Sequence, residues 1–245
     1  MKTFKMFSTI ALLICLTLTS VQSFNQQSKL FFVENKGQWH EDARFLAQAP
    51  GVDAWLTANG ITYDFYKFQQ STILPQEAVN PDLNDTYKNM DRIGNVVKMQ
   101  FINSLNSPKV QGVDKKKGYY NFFIGNDKSK WASRIGLYKE AMMAGLYKGI
   151  DARLYYENNN LRYDLIVAPK ADPNLIKMSF SGTDKVYINY KGNLTINTSI
   201  GDVEQSGLYA YQEINGKKVE VECTFKIIDE TTVGFNIGDY DDTYP

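Results

Sequence analysis

The chain has 245 residues, of which 43% are hydrophobic and 13% aromatic, and its 27 basic residues balance 27 acidic ones. This length and apolar content suffice for a substantial core and exclude a largely disordered chain. The absence of net charge argues against nucleic-acid binding and against a polybasic membrane-binding patch, so we expect no nucleic-acid partner.

The N-terminal segment has the pattern of a secretory signal peptide. Two lysines among the first five residues precede an apolar run at 6–18, and Val21 and Ser23 supply small side chains before a cleavage point. A membrane anchor is the alternative, but the run is shorter than the roughly 20 apolar residues that a spanning helix requires. The pattern therefore predicts a signal peptide over residues 1–23, a secreted or cell-surface protein, and a mature chain without a transmembrane segment.

Cysteine usage fits export without disulfides. Removal of the predicted signal peptide takes out Cys15 and leaves Cys223 alone, which excludes an internal disulfide and a disulfide-rich scaffold. Apolar and polar residues alternate over 219–227, so we expect a single strand there with Cys223 pointing into the core. A reactive thiol is the functional alternative, although no adjacent histidine or basic residue would lower its pKa.

Period-two alternation also dominates the first part of the mature chain, residues 24–117. Asn59 and Gly60 lie between two alternating segments and predict a tight hairpin. The stretch 69–94 is polar and contains two prolines, which predicts a long loop or a partly helical insertion. Three consecutive lysines at 115–117 are expected to form a solvated connection to the second part.

The second part, residues 118–245, is divided by further turn signals. Asparagine, glycine and aspartate mark four predicted hairpins, at 158–160, 191–193, 215–216 and 229–232. The segment 138–147 has a helix-forming composition, whereas the surrounding alternation favours a strand followed by a turn at Gly149. We keep both readings and favour the strand.

Alternation around 158–160 separates two faces of one hairpin. One face is expected to carry Leu154, Tyr156, Tyr163 and Leu165. The other is expected to carry Arg153, Tyr155, Arg162 and Asp164. A tyrosine stripe at strand spacing is more typical of cross-strand core packing than of a ligand platform.

These patterns together predict the fold class. We expect an all-β protein built of two antiparallel β-sandwich-like lobes, residues 24–117 and 118–245, with a polar loop insertion at 69–94. The chain shows no internal repeat.

Motifs for catalysis are missing from the sequence. His40 is the single histidine, and no HExxH, CxxC, P-loop or GxGxxG motif occurs, so we expect no catalytic residue, no zinc and no organic cofactor. Asp239, Asp241 and Asp242 are candidate calcium ligands, although they lack EF-hand spacing and such clusters commonly form turns. A glycoside hydrolase would need two carboxylates facing across a cleft, which 27 acidic residues make an unspecific signal.

The three tryptophans are the candidate ligand-binding residues. Trp39, Trp55 and Trp131 could stack on sugar rings if they are exposed. The alternative is that each anchors a loop onto a sheet. Trp131 follows a loop signal at 124–130, which would present it, but for all three tryptophans we favour the anchoring interpretation.

Seven tracts in fixed order carry a resemblance to a known family. They are FVENKGQW at 32–39, YYNFFIGNDKSKW at 119–131, YKGIDARLYY at 147–156, YDLIVAPKADP at 163–173, IKMSFSG at 176–182, YQEING at 211–216 and VGFNIGDYD at 233–241. The chain resembles the uncharacterised N-terminal domain of large exported bacterial proteins that carry SBBP-type β-propeller repeats downstream. Some of these proteins end in a type IX secretion sorting domain.

The resemblance implies a role but no activity, and it transfers no catalytic residue. It implies a non-catalytic structural or interaction domain, with a carbohydrate-binding module and a glycoside hydrolase-like enzyme as the alternatives. The implied partners are downstream repeats of a longer protein, with a surface glycan or protein as a further partner. The chain ends at Pro245, where the family continues, so it resembles a truncated member.

Overall fold

The structure is a computed structural model that describes residues 30–71, 90–106 and 108–244, together with the backbone of residues 4–8. The described residues form two single-turn 3₁₀ helices, Lys128–Lys130 and Pro173–Leu175, and twenty strands. The strands are β1 (Phe4–Ser8), β2 (Phe32–Glu34), β3 (Phe45–Ala49), β4 (Val52–Leu56), β5 (Gly60–Gln70), β6 (Met90–Phe101), β7 (Lys109–Lys115), β8 (Tyr120–Phe122), β9 (Ala132–Ile135), β10 (Leu137–Tyr147), β11 (Ile150–Glu157), β12 (Asn160–Val167), β13 (Met178–Ser181), β14 (Lys185–Ile188), β15 (Leu194–Thr198), β16 (Gly201–Gln205), β17 (Tyr209–Ile214), β18 (Lys217–Val221), β19 (Cys223–Ile227) and β20 (Thr232–Ile237). The predicted all-β class is confirmed. Within the described ranges, no helix has the length and apolar character needed to cross a membrane.

Most strands belong to one antiparallel main sheet. Its order is β18-β17-β1-β12-β11-β10-β2-β3-β4-β5-β6-β13-β20-β19, and β7 pairs with β10 beside this path. A three-stranded sheet, β14-β15-β16, and a two-stranded sheet, β8-β9, accompany it. The strands on either side of the expected boundary at 117–118 pair directly, β2 with β10 and β6 with β13. Where the sequence predicted two lobes, the two segments share one main sheet.

A bend at Glu222 brings the two ends of the main sheet together. β18 and β19 stand at opposite ends of the strand order, yet Glu222 alone separates them in sequence. Since consecutive Cα atoms are about 3.8 Å apart, the sheet must curl until its ends meet. The Gly238 N–H donates to the Glu222 carbonyl at 2.8 Å and continues the pairing of β20 past the bend.

The curled sheet encloses one large hydrophobic core. Residues from both halves of the chain contribute to it, among them Phe32, Phe65, Met99, Leu165 and Phe180, each 2% exposed or less. A smaller cluster of Val33, Ala132, Ile135 and Leu137 lies under the β8-β9 hairpin. Alternation along each strand therefore sends one set of side chains inward and leaves the other set at the outer face.

The predicted turns are confirmed, because the residues at their tips tolerate a positive φ. Asn158 and Asn159 have φ of 51° and 66° between β11 and β12, and Asn215 and Gly216 have 52° and 77° between β17 and β18. Positive φ at both central residues gives the twist that a two-residue hairpin requires. The segment 138–147 is strand, as favoured, and Gly149 turns it into β11 with φ of 75°.

The predicted insertion at 69–94 is shorter than expected. β5 and β6 pair as far as Gln70 opposite Met90, so both ends of that range are strand, and residues 72–89 lie outside the described residues. Side chains across the pair explain the extension. The Arg92 guanidinium lies 4.0 Å from the ring centre of Tyr66, and its Nη2 donates to the Asp64 carboxylate at 2.8 Å.

The single strand predicted over 219–227 is wrong, because the bend divides it into β18 and β19. Val221 and Phe225 are buried as expected, but Val219 is 45% and Ile227 38% exposed. Cys223 is partly buried and packs against the main core. Each half of the run pairs with a different end of the sheet, and the inward alternation holds from Val221 to Phe225 but not at Val219 or Ile227.

The predicted signal peptide falls largely outside the described residues. Of its 23 residues, the structure describes only Phe4–Ser8, as β1. β1 pairs with β12 on one side and β17 on the other.

The shared core predicts cooperative unfolding of the whole chain. Phe180→Ala removes a ring that is 1% exposed and should lower the free energy of unfolding by about 3–5 kcal/mol while keeping one transition. Phe123→Ala removes a ring that is 58% exposed and should change the free energy of unfolding by about 0.5 kcal/mol or less. Calorimetry and urea titration followed by circular dichroism measure both. Two separate transitions in the unmodified chain would contradict a single core.

Candidate functional site

The outer face of strands β4–β6 forms the floor of an open cleft. Trp55, Thr62 and Lys98 are cross-strand partners on β4, β5 and β6. Their neighbours in sequence, such as Leu56 and Ile61, point into the core and are 0% and 2% exposed. Alternation therefore turns the first set toward solvent. The cleft has a volume of about 720 Å³ and is lined by Trp39, His40, Asp42, Ala43, Arg44, Trp55, Thr57, Ala58, Asn59, Ile61, Thr62, Lys98, Met99 and Gln100.

The loop between β2 and β3 forms one wall of this Trp39–Trp55 cleft. Asn35 organises the loop, since its Nδ2 donates to the carbonyls of His40 and Ala43, both at 2.8 Å. Its Oδ1 accepts from the Gly37 N–H at 3.0 Å. Gly37 has φ of 103°, which favours glycine and turns the chain so that Trp39 follows over the sheet.

Two of the three predicted tryptophans meet in the cleft. The Trp39 and Trp55 rings have centroids 5.1 Å apart and planes at 84°, so the two indoles form a corner. Trp39 also packs against Phe122 of β8, with centroids 5.2 Å apart. Edge-to-face contacts of this kind stabilise aromatic pairs by about 0.5–1.5 kcal/mol beyond the area they bury. Trp39 thus anchors its loop and lines the cleft at the same time.

Polar groups of mixed charge surround the indole corner. Arg44 and Lys98 are the cations of the lining, and Asp42 is the one carboxylate among the residues that line the cleft. His40 Nδ1 lies 3.5 Å from Asp42 Oδ2, and the two side chains are 76% and 79% exposed. An open, aromatic-walled cleft with exposed hydrogen-bonding groups can bind a ligand that has both apolar and polar faces.

Trp131 lies outside the cleft. Its side chain is 39% exposed, at the end of the loop that precedes β9. Its Nε1 donates to the Gly125 carbonyl at 3.1 Å, and its ring packs edge-to-face with Phe123 at 5.8 Å. It therefore belongs to a separate exposed patch on the β8-β9 hairpin that also contains Ile124, which is 76% exposed.

The candidate calcium ligands make turn and ion-pair contacts. Asp241 Oδ1 accepts from the N–H and the hydroxyl of Thr243 at 2.9 and 2.6 Å, and these hydrogen bonds lower the pKa of Asp241. Asp242 Oδ1 lies 2.6 Å from Lys170 Nζ. Asp239 lies two residues before Asp241 in the sequence. In the described part of the chain, no three His, Cys, Asp or Glu side chains are grouped to hold a metal ion.

The comparison with known proteins identifies the family over most of the chain. Residues 32–245 match a family described as a domain of unknown function, DUF7948. The chain belongs to this family. No curated protein and no solved structure matches it. The DUF7948 domain contains the cleft and strands β2–β20, and it begins after β1.

A charge cluster around the buried Asp164 in the DUF7948 domain was not predicted as a site. Arg153 donates to both carboxylate oxygens of Glu140, at 2.8 and 2.6 Å, and its Nη1 lies 3.7 Å from Asp164 Oδ2. Asp164 is 0% exposed, although alternation predicted a solvent-facing position. Burial raises the pKa of Tyr155 beside it, and the Asp164 charge adds to that rise. The sequence signal was an aspartate inside the apolar run 163–167.

This cluster predicts that replacing Arg153 lowers the stability of the chain much more than replacing Arg92 does. Arg153→Met would remove the cation that lies 3.7 Å from the buried Asp164 carboxylate and should lower the free energy of unfolding by about 3–5 kcal/mol. Arg92→Met, whose ion pair with Asp64 is at the surface, should cost about 1 kcal/mol or less. Urea titration of both variants measures the difference. Equal losses would show that Arg153 does not compensate a buried charge.

The surroundings of Cys223 predict an unreactive thiol. Burial raises the pKa of Cys223 to about 12, so at about pH 8 only a fraction near 10⁻⁴ is thiolate. We expect alkylation of Cys223, followed by peptide mapping, to be slow in the folded chain and fast in urea. Labelling at the rate of a free cysteine in the folded chain would support the reactive-thiol alternative instead.

Proposed function

We propose that the chain is a non-catalytic structural and interaction domain of an exported bacterial protein, secreted or held at the cell surface. The Trp39–Trp55 cleft carries this proposal, because it is open, aromatic-walled and built on the outer face of a rigid sheet. The leader pattern of residues 1–23 supports export. Downstream SBBP-type repeats, implied by the resemblance, are the partners within a longer protein.

A carbohydrate-binding module is the second candidate, and one observation favours it. Indole faces stack on the apolar faces of sugar rings, and the cleft places two indoles beside Arg44, Asn59, Lys98 and Gln100, whose polar atoms could bind hydroxyl groups. The perpendicular arrangement of the indoles suits a sugar that enters a corner better than one that lies on a flat platform.

A glycoside hydrolase is the third candidate. It would require two carboxylates facing each other across the cleft, with separations of about 5–10 Å depending on mechanism. Asp42 is the single carboxylate among the cleft-lining residues of the described chain, which favours binding over hydrolysis.

A glycan-array screen distinguishes these candidates. The purified chain is screened with calcium and with chelator, as are Trp55→Ala and Trp131→Ala. Binding by the unmodified chain that falls about tenfold or more in Trp55→Ala and persists in Trp131→Ala would establish a carbohydrate-binding cleft. Silence from a folded sample would direct the search to protein partners by crosslinking on the cleft.

Two further results would count against parts of the proposal. Turnover of a glycan that is lost in Asp42→Asn would contradict a non-catalytic role. Binding that disappears with chelator and is restored by calcium would assign a function to the aspartates at 239–242, since the cleft lining itself holds one carboxylate.

A further inference from the structure

One strand of the main sheet lies outside the DUF7948 domain. β1 is antiparallel to β12 and to β17, with Phe4 opposite Val167 and Phe7 opposite Tyr209. The family match begins at residue 32, after β1. Within the domain alone, β12 and β17 are therefore separated by one strand width. Neighbouring strands lie about 4.8 Å apart, so these two stand about 10 Å apart. We call the gap between Tyr163–Val167 and Tyr209–Tyr211 the strand slot.

The first end of the strand slot is held by a contact in which β1 takes no part. The Tyr163 hydroxyl on β12 donates to Gln205 Oε1 at 3.0 Å. Gln205 is the last residue of β16, shortly before β17 begins. Both residues are buried, at 1% exposed each, so this hydrogen bond ties β12 inside the core to β16, the strand that leads into β17.

The second end is held by the segment that follows β20. Gln212 on β17 donates through Nε2 to the Asp241 carbonyl at 2.6 Å and accepts from the Asp241 N–H at 2.8 Å. The next residue, Asp242, accepts from the Lys170 N–H at 2.8 Å, just beyond the end of β12. Residues 241–242 thus bridge β17 and the end of β12. The walls are fixed at both ends without β1.

An empty strand slot would be costly. β1 covers backbone N–H and C=O groups of β12 and β17, and leaving such groups buried and unpaired is unfavourable. Three of the positions that β1 opposes, Val167, Leu165 and Ala210, are apolar and buried, at 2%, 0% and 1% exposed. Another strand that pairs with these backbone groups and packs against these apolar positions would remove that cost.

We propose that the strand slot is an acceptor for an extended peptide segment donated by another exported polypeptide, and that β1 occupies it only until the signal peptide is removed. This inference rests on the proposed export. The donated segment has at least five residues and runs antiparallel to both walls, as β1 does. It carries apolar residues at the positions opposite Val167 and Leu165. Main-chain hydrogen bonds supply affinity, and alternate side chains supply selectivity.

The test starts from the folded full chain. A protease recognition sequence is inserted after Ser23, the folded protein is cleaved there, and a fluorescent peptide with the sequence of residues 2–10, KTFKMFSTI, is the probe. The uncut chain is the matched control, because its own β1 fills the slot. The control peptide carries Met6→Pro, which removes a backbone donor and restricts the strand. Anisotropy measures binding, and hydrogen exchange locates it.

The expected result is saturable binding of one peptide to the cut chain. The proline peptide should bind about tenfold more weakly or worse, and the uncut chain should not bind. Amide protection should rise in 163–167 and 209–211 when the peptide is added. Binding equal in cut and uncut chains, or protection only elsewhere, would overturn the inference.

Other occupants of the slot give distinct results, and each overturns the inference. A released leader that never exchanges for the probe would make β1 a permanent strand. A cut chain that forms a dimer, with both slot strands protected and no peptide bound, would make a second copy the occupant. Strong protection in a monomer without peptide would assign the slot to another segment of this chain.

A separate measurement tests the proposed export. The intact mass of the chain recovered after expression in a bacterium shows whether residues 1–23 are removed. A retained leader contradicts export whatever the peptide measurements give. A removed leader with no peptide binding contradicts the acceptor role alone.

Discussion

The bend at Glu222 is the constraint on which the rest of the fold depends. A single run of alternating sequence is divided there between the two ends of the main sheet, so the sheet must curl and enclose one core. The bend is held because the Glu222 carbonyl accepts from Gly238, and a Cβ at Gly238 would lie 3.0 Å from that of Glu222. Closure of this kind leaves one buried face and one outer face along nearly every strand.

The cleft follows from that division of faces. Every second residue of a strand points into the core, as Leu56 and Ile61 do. The alternate residues, such as Trp55, Thr62 and Lys98, lie on the outer face. The Trp39 loop then completes the site from outside, and the smaller cluster beneath β8-β9 supports it. Surface residues carried on a rigid sheet in this way can change without loss of the fold.

The strand slot and the buried charge cluster are neighbours in the same region of the sheet. Asp164 belongs to β12, one wall of the slot, and Arg153 holds it from β11. Aspartate is rarely fully buried without a partner, because removing its charge from water is costly. A wall that combines buried apolar positions with a compensated charge is demanding about which strand it accepts, and that supports selective rather than general pairing.

Local patterns in the sequence determined the strands and their turns. Asn-Gly and Asn-rich tips fixed hairpins because few residues adopt positive φ, and alternation assigned inward positions such as Leu154, Tyr163 and Leu165 correctly. Only the tertiary structure decided that 219–227 is divided at Glu222 and that the two halves of the chain share one core. It also decided that Trp39 contacts Trp55 while Trp131 lies elsewhere. Finally, it decided that Asp164 is buried. Each of these depends on which distant strands lie side by side, and alternation within a strand carries no information about its neighbours.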